Sequence, residues 1–121
     1  MRDKVALITG GSGNIGQKFS SLLKEKKFKI IILDIKKPKS NFDFFFKVDL
    51  NKLKNVEKIS KKISKKYTKI DILINCAAMV GTNKSPGWNT VFQNQNLKSW
   101  NNCLNVNLTS VFVITRNLLK N

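Results

Sequence analysis

The sequence has no histidine and contains one tyrosine, two cysteines and two prolines in 121 residues. The lack of histidine excludes a Ser-His-Asp triad, a Cys-His nucleophile and most zinc sites, because each of these needs an imidazole. The cysteines, Cys76 and Cys103, are too few for a disulfide framework and too far apart for a metal-binding pair. We therefore expect two free, buried, apolar side chains in a reducing compartment and no metal site.

Acidic residues are also scarce, with 7 Asp and Glu against 23 Lys and Arg and a formal net charge of +16. Such a charge is typical of proteins that bind polyanions. Arginine is nearly absent, however, and its bidentate guanidinium is the usual group for base and phosphate recognition. The lysines of the predicted helix 53–67 lie on its solvent-facing side, and A/T-rich codons explain the number of lysines in the chain. We predict no nucleic-acid partner.

Long hydrophobic runs are absent. The run 30–33 is among the longest, far below the ~20 residues that span a bilayer. The N-terminal run 5–8 meets Gly10 too early for a secretory signal. The sequence length suits one domain, and 41% hydrophobic residues are enough for a packed core. We expect a cytoplasmic protein with no membrane partner.

Apolar runs alternate with amphipathic segments along the chain. The runs predict strands over 5–8, 29–33, 44–48 and 70–74. Helices are predicted from 15 to the basic stretch 24–27, over 53–67, and from Leu97 onwards with Asn96 as its cap. This alternation predicts an α/β fold, namely a Rossmann-type doubly wound parallel sheet in three α/β/α layers that ends after about four strands.

Two predicted helices have one apolar side. In the first, the apolar positions are Ile15, Phe19, Leu22 and Leu23. In the second, they are Val56, Ile59, Ile63 and Tyr67. Lysines occupy the other side of the second helix, as a solvated face requires.

A glycine-rich segment, 9–16, lies between the first strand and the first helix. Gly10 permits a tight turn, Gly13 lets the backbone approach a pyrophosphate, and Gly16 allows close helix–strand packing. The N-terminus of the helix offers unpaired N–H groups to phosphates. The segment predicts a dinucleotide-binding loop, whose candidate cofactor residues are Gly10, Gly11, Ser12, Gly13, Asn14, Ile15 and Gly16.

An acidic residue, Asp34, closes the second predicted strand, where the adenosine ribose of a dinucleotide is expected. A carboxylate there would repel the 2′-phosphate of NADP, so NAD is the predicted cofactor. Lys36 and Lys37 are close enough to soften that repulsion, which keeps NADP as the less favoured alternative.

Together these residues resemble the short-chain dehydrogenase/reductase family, over the whole chain and in order. The segment 9–16 resembles its cofactor loop, and Asp49-Leu50 resembles the pair that contacts adenine. Asn75-Cys76-Ala77-Ala78 resembles the family's Asn-Asn-Ala-Gly after the fourth strand. Trp100 with the segment 105–109 resembles the helix that supports the active site.

The resemblance implies an NAD(P)-dependent oxidoreductase that interconverts an alcohol and a carbonyl on a small molecule. Asn107 would be the catalytic asparagine that holds a proton-relay water. Asn75 would brace the central strands, and Ala77, Asp49 and Leu50 would lie against the cofactor. The resemblance also implies a homo-oligomer for the full-length protein.

The family's remaining catalytic groups, a serine and a Tyr-x-x-x-Lys pair, have no counterpart in the chain. Tyr67, the single tyrosine, belongs to the second predicted helix. We therefore expect an N-terminal part of a longer enzyme, a Rossmann domain over 1–121 that binds cofactor and is inactive alone. The glycine spacing is also found in sugar-nucleotide epimerases and dehydratases, and a non-catalytic nucleotide-binding module is a third possibility.

Overall fold

The computed structural model describes residues 3–81, 87 and 89–119. Its strands are β1 (Val5–Thr9), β2 (Lys29–Asp34), β3 (Phe44–Lys47) and β4 (Ile72–Asn75). Its α-helices are α1 (Asn14–Glu25), α2 (Leu53–Lys66), α3 (Leu97–Leu104) and α4 (Ser110–Leu118). A π-helical segment, Asn105–Thr109, joins α3 to α4, and a 3₁₀ turn spans Phe92–Asn94. Most of the segment between β4 and this turn, residues 82–86 and 88, lies outside the described part.

The strands form one parallel sheet in the order β3-β2-β1-β4. The parallel α/β fold predicted from the sequence is confirmed. The fourth strand begins at Ile72, two residues later than predicted. Asp71, which precedes β4, is hydrogen-bonded to the first residue of β1. Its Oδ2 accepts the Val5 N–H at 2.9 Å, and its own N–H donates to the Val5 carbonyl at 2.8 Å.

Each face of the sheet carries its own apolar cluster. One cluster joins Leu7 and Ile31 to Val56 and Ile63 of α2 and to Ile114 of α4. The other joins Ala6, Ile8, Ile30 and Ile32 to Leu23 of α1. Since β1 and β2 are buried on both faces, they are continuous apolar runs rather than alternating ones.

Helix α1 is confirmed, but most of its apolar stripe does not contact the sheet. Leu23 is buried with Gly16 and Ser20, whereas Ile15, Phe19 and Leu22 are exposed. The small residues allow this orientation, because Gly16 lets α1 pack closely against Gly10 and Gly11 of the glycine-rich loop. The buried Ser20 hydroxyl donates a hydrogen bond to the Gly16 carbonyl oxygen at 3.0 Å, so this hydroxyl has a partner within the helix.

Helix α2 has the predicted two faces. Val56 and Ile63 are buried, Ile59 and Tyr67 pack partly against the same cluster, and the lysines of the opposite face are exposed. Glu57 ties α2 to α4, since its carboxylate accepts hydrogen bonds from Arg116 at 2.7 Å and Asn117 at 3.1 Å. Over the described residues, we find no helix with the length and apolarity needed to cross a membrane.

Candidate functional site

A cavity of about 670 Å³ opens at the carboxyl edge of the sheet. The four parallel strands end there, so the segments that follow them share its walls. Its lining residues are Gly10, Ser12, Gly13, Leu33, Asp34, Ile35, Lys36, Val48, Asp49, Leu50, Asn51, Cys76, Ala77, Ala78, Met79, Asn102 and Val106. This is the crevice in which open α/β sheets bind their ligands.

The glycine-rich loop is held tightly by neighbouring backbone. Gly10 has a φ of +66°, and a Cβ there would lie 2.6 Å from the Ala77 nitrogen. A Cβ on Gly16 would overlap the Gly10 carbonyl oxygen. Gly10 therefore shapes the tight turn, as the sequence predicted. Gly16 allows close packing of α1, but its contact is with Gly10 and Gly11 of the loop rather than with a strand.

Gly13 is different, because none of the described atoms around it requires a glycine there. Its backbone is extended (φ −78°, ψ 169°), and an added Cβ would meet only the Gly10 carbonyl oxygen, at 3.4 Å. It lines the cavity and precedes the N-terminus of α1, which has no side-chain cap and no acidic residue in its first turn. The missing Cβ leaves open space beside unpaired, partly positive N–H groups.

Asp34 joins the end of β2 to the glycine-rich loop. Its Oδ2 accepts the Ser12 N–H at 2.9 Å, and its Oδ1 accepts the Lys36 N–H at 3.1 Å. The Ser12 hydroxyl donates in turn to the Lys36 carbonyl. The carboxylate is thus fixed at the cavity wall with lone pairs left for a further donor.

A turn after β3 supplies the wall beside Asp34. The Oδ1 of Asp49 accepts the Asn51 N–H at 2.9 Å, the pattern of an Asx turn. The Asp49 carbonyl also accepts the Lys52 N–H at 2.9 Å. The turn places Asp49 and Leu50 at the cavity, together with Asn51, which the sequence analysis did not select.

The segment after β4 forms the opposite wall. The Cys76 and Ala77 N–H groups donate to Thr9, at 3.1 Å to its carbonyl and 3.3 Å to its hydroxyl. Burial raises the pKa of the Cys76 thiol, so the group at the wall is neutral at ordinary pH. Cys103 is buried and, like Cys76, free. Both cysteines are thus free, but Cys76 is only partly buried and faces the cavity.

Asn107 lies in the π-helical segment and reaches across to the segment after β4. Its Oδ1 accepts the Met79 N–H at 2.7 Å, and its Nδ2 donates to the Met79 carbonyl at 3.0 Å. The same Nδ2 contacts the Cys103 sulfur at 3.2 Å. One lone pair of Oδ1 is left for another partner such as a water.

The cavity brings together seven of the predicted site residues, namely Gly10, Ser12, Gly13, Asp34, Asp49, Leu50 and Ala77. Gly11 and Gly16 lie buried behind the loop, and Asn75 is exposed on β4 opposite Thr9. Asn14 and Ile15 line a separate groove on the outer face of α1. Asn107 does not line the cavity but holds Met79, which does.

Sequence reasoning missed Asn51, Met79, Asn102 and Val106. Val106 and Asn107 both belong to the segment 105–109, but only the folded chain shows that Val106 faces the cavity. Tyr67 packs edge-on against Phe44, with ring centroids 6.0 Å apart, and is not among the lining residues. Among the described residues there is no group of three or more metal-ligating side chains.

Comparisons with known proteins agree with this geometry. The family described as short chain dehydrogenase matches residues 4–121. The NAD-dependent glycerol dehydrogenase of Listeria innocua is 30% identical over 122 residues, covering 94% of this chain and 45% of that protein. The chain spans about half the length of the curated relatives it matches.

Solved structures show the same fold. A short chain dehydrogenase of Leptospira borgpetersenii with bound NAD⁺ superposes with a TM-score of 0.78 at 27% identity, covering 98% of this chain and 45% of that one. The ligand-free aldohexose dehydrogenase of Thermoplasma acidophilum gives 0.74 at 25% identity, covering 97% and 43%. From the family match and these likenesses, this chain belongs to the short-chain dehydrogenase/reductase family of oxidoreductases.

Proposed function

We propose that this chain is the cofactor-binding N-terminal part of an NAD(H)-dependent oxidoreductase that interconverts an alcohol and a carbonyl on a small molecule. In this proposal residues 1–121 form the first portion of a Rossmann domain. The remaining serine, tyrosine and lysine of the family's chemistry lie in sequence outside this chain. The activities of the relatives, on glycerol and on aldohexose, support a small-molecule substrate without choosing one.

The observation that carries the proposal is the open space at Gly13. Gly10 and Gly16 are required by the protein's own backbone, but Gly13 is not. A glycine that no protein contact demands, at a cavity wall and before an uncapped helix N-terminus, is accounted for by a ligand that approaches the backbone closely. The residues present therefore fit a dinucleotide.

Each part of the cavity has a role in this proposal. The loop 10–16 and the start of α1 hold the pyrophosphate, and Asp34 accepts from the adenosine ribose. Asp49 and Leu50 contact adenine, while Ala77 lies against the cofactor and Asn75 braces the central strands. The nicotinamide, when bound, supplies the hydride acceptor or donor.

Asn107 remains the proposed catalytic asparagine. Its side chain fixes the Met79 backbone with both ends of the amide, and the free lone pair of Oδ1 is the position for the relay water. Asn107 would then order the segment after β4 and pass a proton through that water in the complete enzyme.

Cofactor choice and assembly complete the proposal. The fixed carboxylate of Asp34 favours NAD over NADP, and the bound NAD⁺ of one solved relative supports this choice. We keep a cytoplasmic location as a prediction. A homo-oligomeric full-length protein is supported by a row of exposed apolar side chains that runs from α3 through the π-helical segment to α4, made of Leu97, Trp100, Leu104, Leu108 and Phe112.

Titration calorimetry with NAD tests the proposal on the 121-residue chain. We expect wild type to bind, and Gly13→Ala to bind at least about tenfold more weakly, a loss of ~1.4 kcal/mol. The free energy of unfolding of Gly13→Ala should stay within about 0.5 kcal/mol of wild type, because its Cβ meets no strained contact. Ser21→Ala, on α1 and outside the cavity lining, should change neither quantity.

Two results would contradict the proposal: no NAD binding by wild type, or equal affinity in Gly13→Ala. A non-catalytic nucleotide-binding module is the second candidate, favoured by the position of Tyr67 away from the cavity. Both candidates predict NAD binding without turnover by this chain. Only the oxidoreductase predicts that adding the missing serine, tyrosine and lysine in a longer chain gives NADH-coupled carbonyl reduction.

A further inference from the structure

One side-chain contact links two walls of the cavity that are distant in sequence. The Nδ2 of Asn105 donates to the Oδ1 of Asn51 at 3.1 Å, with the Asn51 carbonyl oxygen a further 3.5 Å contact. Both side chains are half-buried. We call this contact the Asn51–Asn105 bridge.

On one side, the bridge holds the turn after β3. Asn51 is the residue whose N–H closes the Asx turn on Asp49, and it follows Leu50 directly. Asp49 and Leu50 are the residues proposed to contact adenine. A side chain that fixes Asn51 therefore fixes how this turn meets the cofactor's adenine end.

On the other side, the bridge holds the first residue of the π-helical segment. The Asn105 carbonyl accepts the Ser110 N–H, which is the wide turn that defines this segment. Asn107 lies two residues further on, and its amide is bonded to the Met79 backbone. Hydrogen bonds thus run from Asp49 through Asn51 and Asn105 to the helical segment that presents Asn107.

We propose that Asn105 is a positioning residue that, through Asn51, couples the adenine end of the cavity to the π-helical segment carrying Asn107. The inference rests on the proposed function, since it takes adenine to bind beside Asp49. Adenine binding orders the turn, the ordered turn favours the bridge, and the bridge favours the geometry in which Asn107 holds Met79. Coupling between two sites is reciprocal. Loss of the bridge should therefore weaken both the effect of adenine binding on the Asn107–Met79 contact and the effect of that contact on adenine binding.

Amide hydrogen exchange with and without ADP, on the 121-residue chain, tests this coupling. ADP carries the adenine and two phosphates but no nicotinamide. Because Met79 also lines the cavity, the variants of the bridge decide whether an effect at Met79 is transmitted through it. The Met79 N–H donates to Asn107, and its exchange rate reports that bond. The Ile31 N–H in β2 serves as a reference for overall stability. The variants are Asn105→Leu and Asn51→Ala, with Asn101→Ala, an exposed asparagine of α3, as matched control.

Saturating ADP should slow Met79 exchange about three- to tenfold in wild type and Asn101→Ala, the size of one net hydrogen bond. In Asn105→Leu and Asn51→Ala the slowing should fall below about twofold at saturation, with ADP binding about three- to tenfold weaker. With ADP set at the same multiple of each protein's dissociation constant, Ile31 should respond to ADP alike in all four proteins, which a purely structural loss would not allow. Asn51→Asp keeps an acceptor for Asn105 and should restore the slowing.

The outcomes separate the two proposals. If wild type does not bind ADP, the proposed function fails and this inference fails with it. If wild type binds ADP but Met79 does not slow, or slows equally in Asn51→Ala, the coupling alone is overturned. Asn51→Ala lies in a surface turn, so it decides the question even if Asn105→Leu does not fold.

Discussion

The carboxylate of Asp34 accepts the backbone N–H of Ser12 across 2.9 Å, which locks the acid at the end of β2 onto the glycine-rich loop. The two residues are 22 positions apart in sequence. One side chain therefore both shapes the loop and presents negative charge to the cavity. A substitution at this position acts on loop geometry and on cofactor choice together.

Asp34→Asn should shift cofactor preference towards NADP. The amide keeps one acceptor oxygen for the loop but removes the charge that repels a 2′-phosphate, while Lys36 stays nearby. We expect the ratio of the NADP and NAD dissociation constants to fall about tenfold or more, or ~1.4 kcal/mol, by titration calorimetry. Asp3→Asn, an exposed carboxylate that precedes β1 at the opposite edge of the sheet, should leave the ratio unchanged. An unchanged ratio in Asp34→Asn would remove Asp34 from cofactor selection.

Alkylation of Cys76 should be slow and sensitive to cofactor. Because burial raises its pKa, less thiolate is present at neutral pH than for a free cysteine at its usual pKa of about 8.5, and the rate should climb only at higher pH. NAD should slow the reaction further, because Cys76 lines the cavity. Mass spectrometry of iodoacetamide adducts in Cys103→Ser follows this thiol alone. Reaction as fast as free cysteine at pH 7, or no protection by saturating NAD, would contradict the placement.

The interaction of Glu57 with Arg116 and Asn117, which joins α2 to α4, should be lost at low pH. Hydrogen bonds from Lys61 and Asn117, together with the charge of Arg116, hold the pKa of Glu57 below its ordinary value. A lowered pKa in the folded state gives stability that is complete above the unfolded pKa of about 4.3 and disappears as pH falls through the folded one. Wild type should therefore melt higher than Glu57→Gln at pH 7, and the two melting temperatures should converge below that range. Lys58→Gln, on the exposed face, is the control; a difference between wild type and Glu57→Gln that does not depend on pH would count against the ion pair.

The chain should be marginally stable and self-associate at high concentration. The β4 edge is unpaired within the described sheet, and the exposed row from α3 to α4 includes Leu108 of the π-helical segment at 63% and Phe112 at 60% accessibility. Sedimentation velocity should show concentration-dependent association that Leu108→Lys reduces and Asn101→Lys, which adds the same charge on α3 outside the row, does not. A monomeric chain with a cooperative melt far above ambient temperature would refute this.

Local patterns determined the elements and their order. The apolar runs 5–8, 29–33 and 44–48 predicted strands β1, β2 and β3. Asn96 was predicted as a helix cap, and its Oδ1 accepts the Ser99 N–H at 2.8 Å. Gly10 and Asp34 could be assigned to the carboxyl ends of β1 and β2 from the sequence. Each follows directly from a local pattern: a glycine after a strand, and an acidic residue that closes one. Their binding roles stay predictions.

Tertiary structure decided the rest, because the deciding contacts join distant residues. The stripe of Ile15, Phe19 and Leu22 predicts an amphipathic helix, but only packing shows that the buried positions of α1 are Gly16, Ser20 and Leu23. Likewise, no local pattern marks Asn51 and Asn105 as partners, since asparagine is common in this chain. Periodicity and backbone preference in the sequence specified which segments are strands, helices and turns. Which side chains face the cavity was decided by the packing of those segments against one another, because that packing depends on residues far apart in the chain.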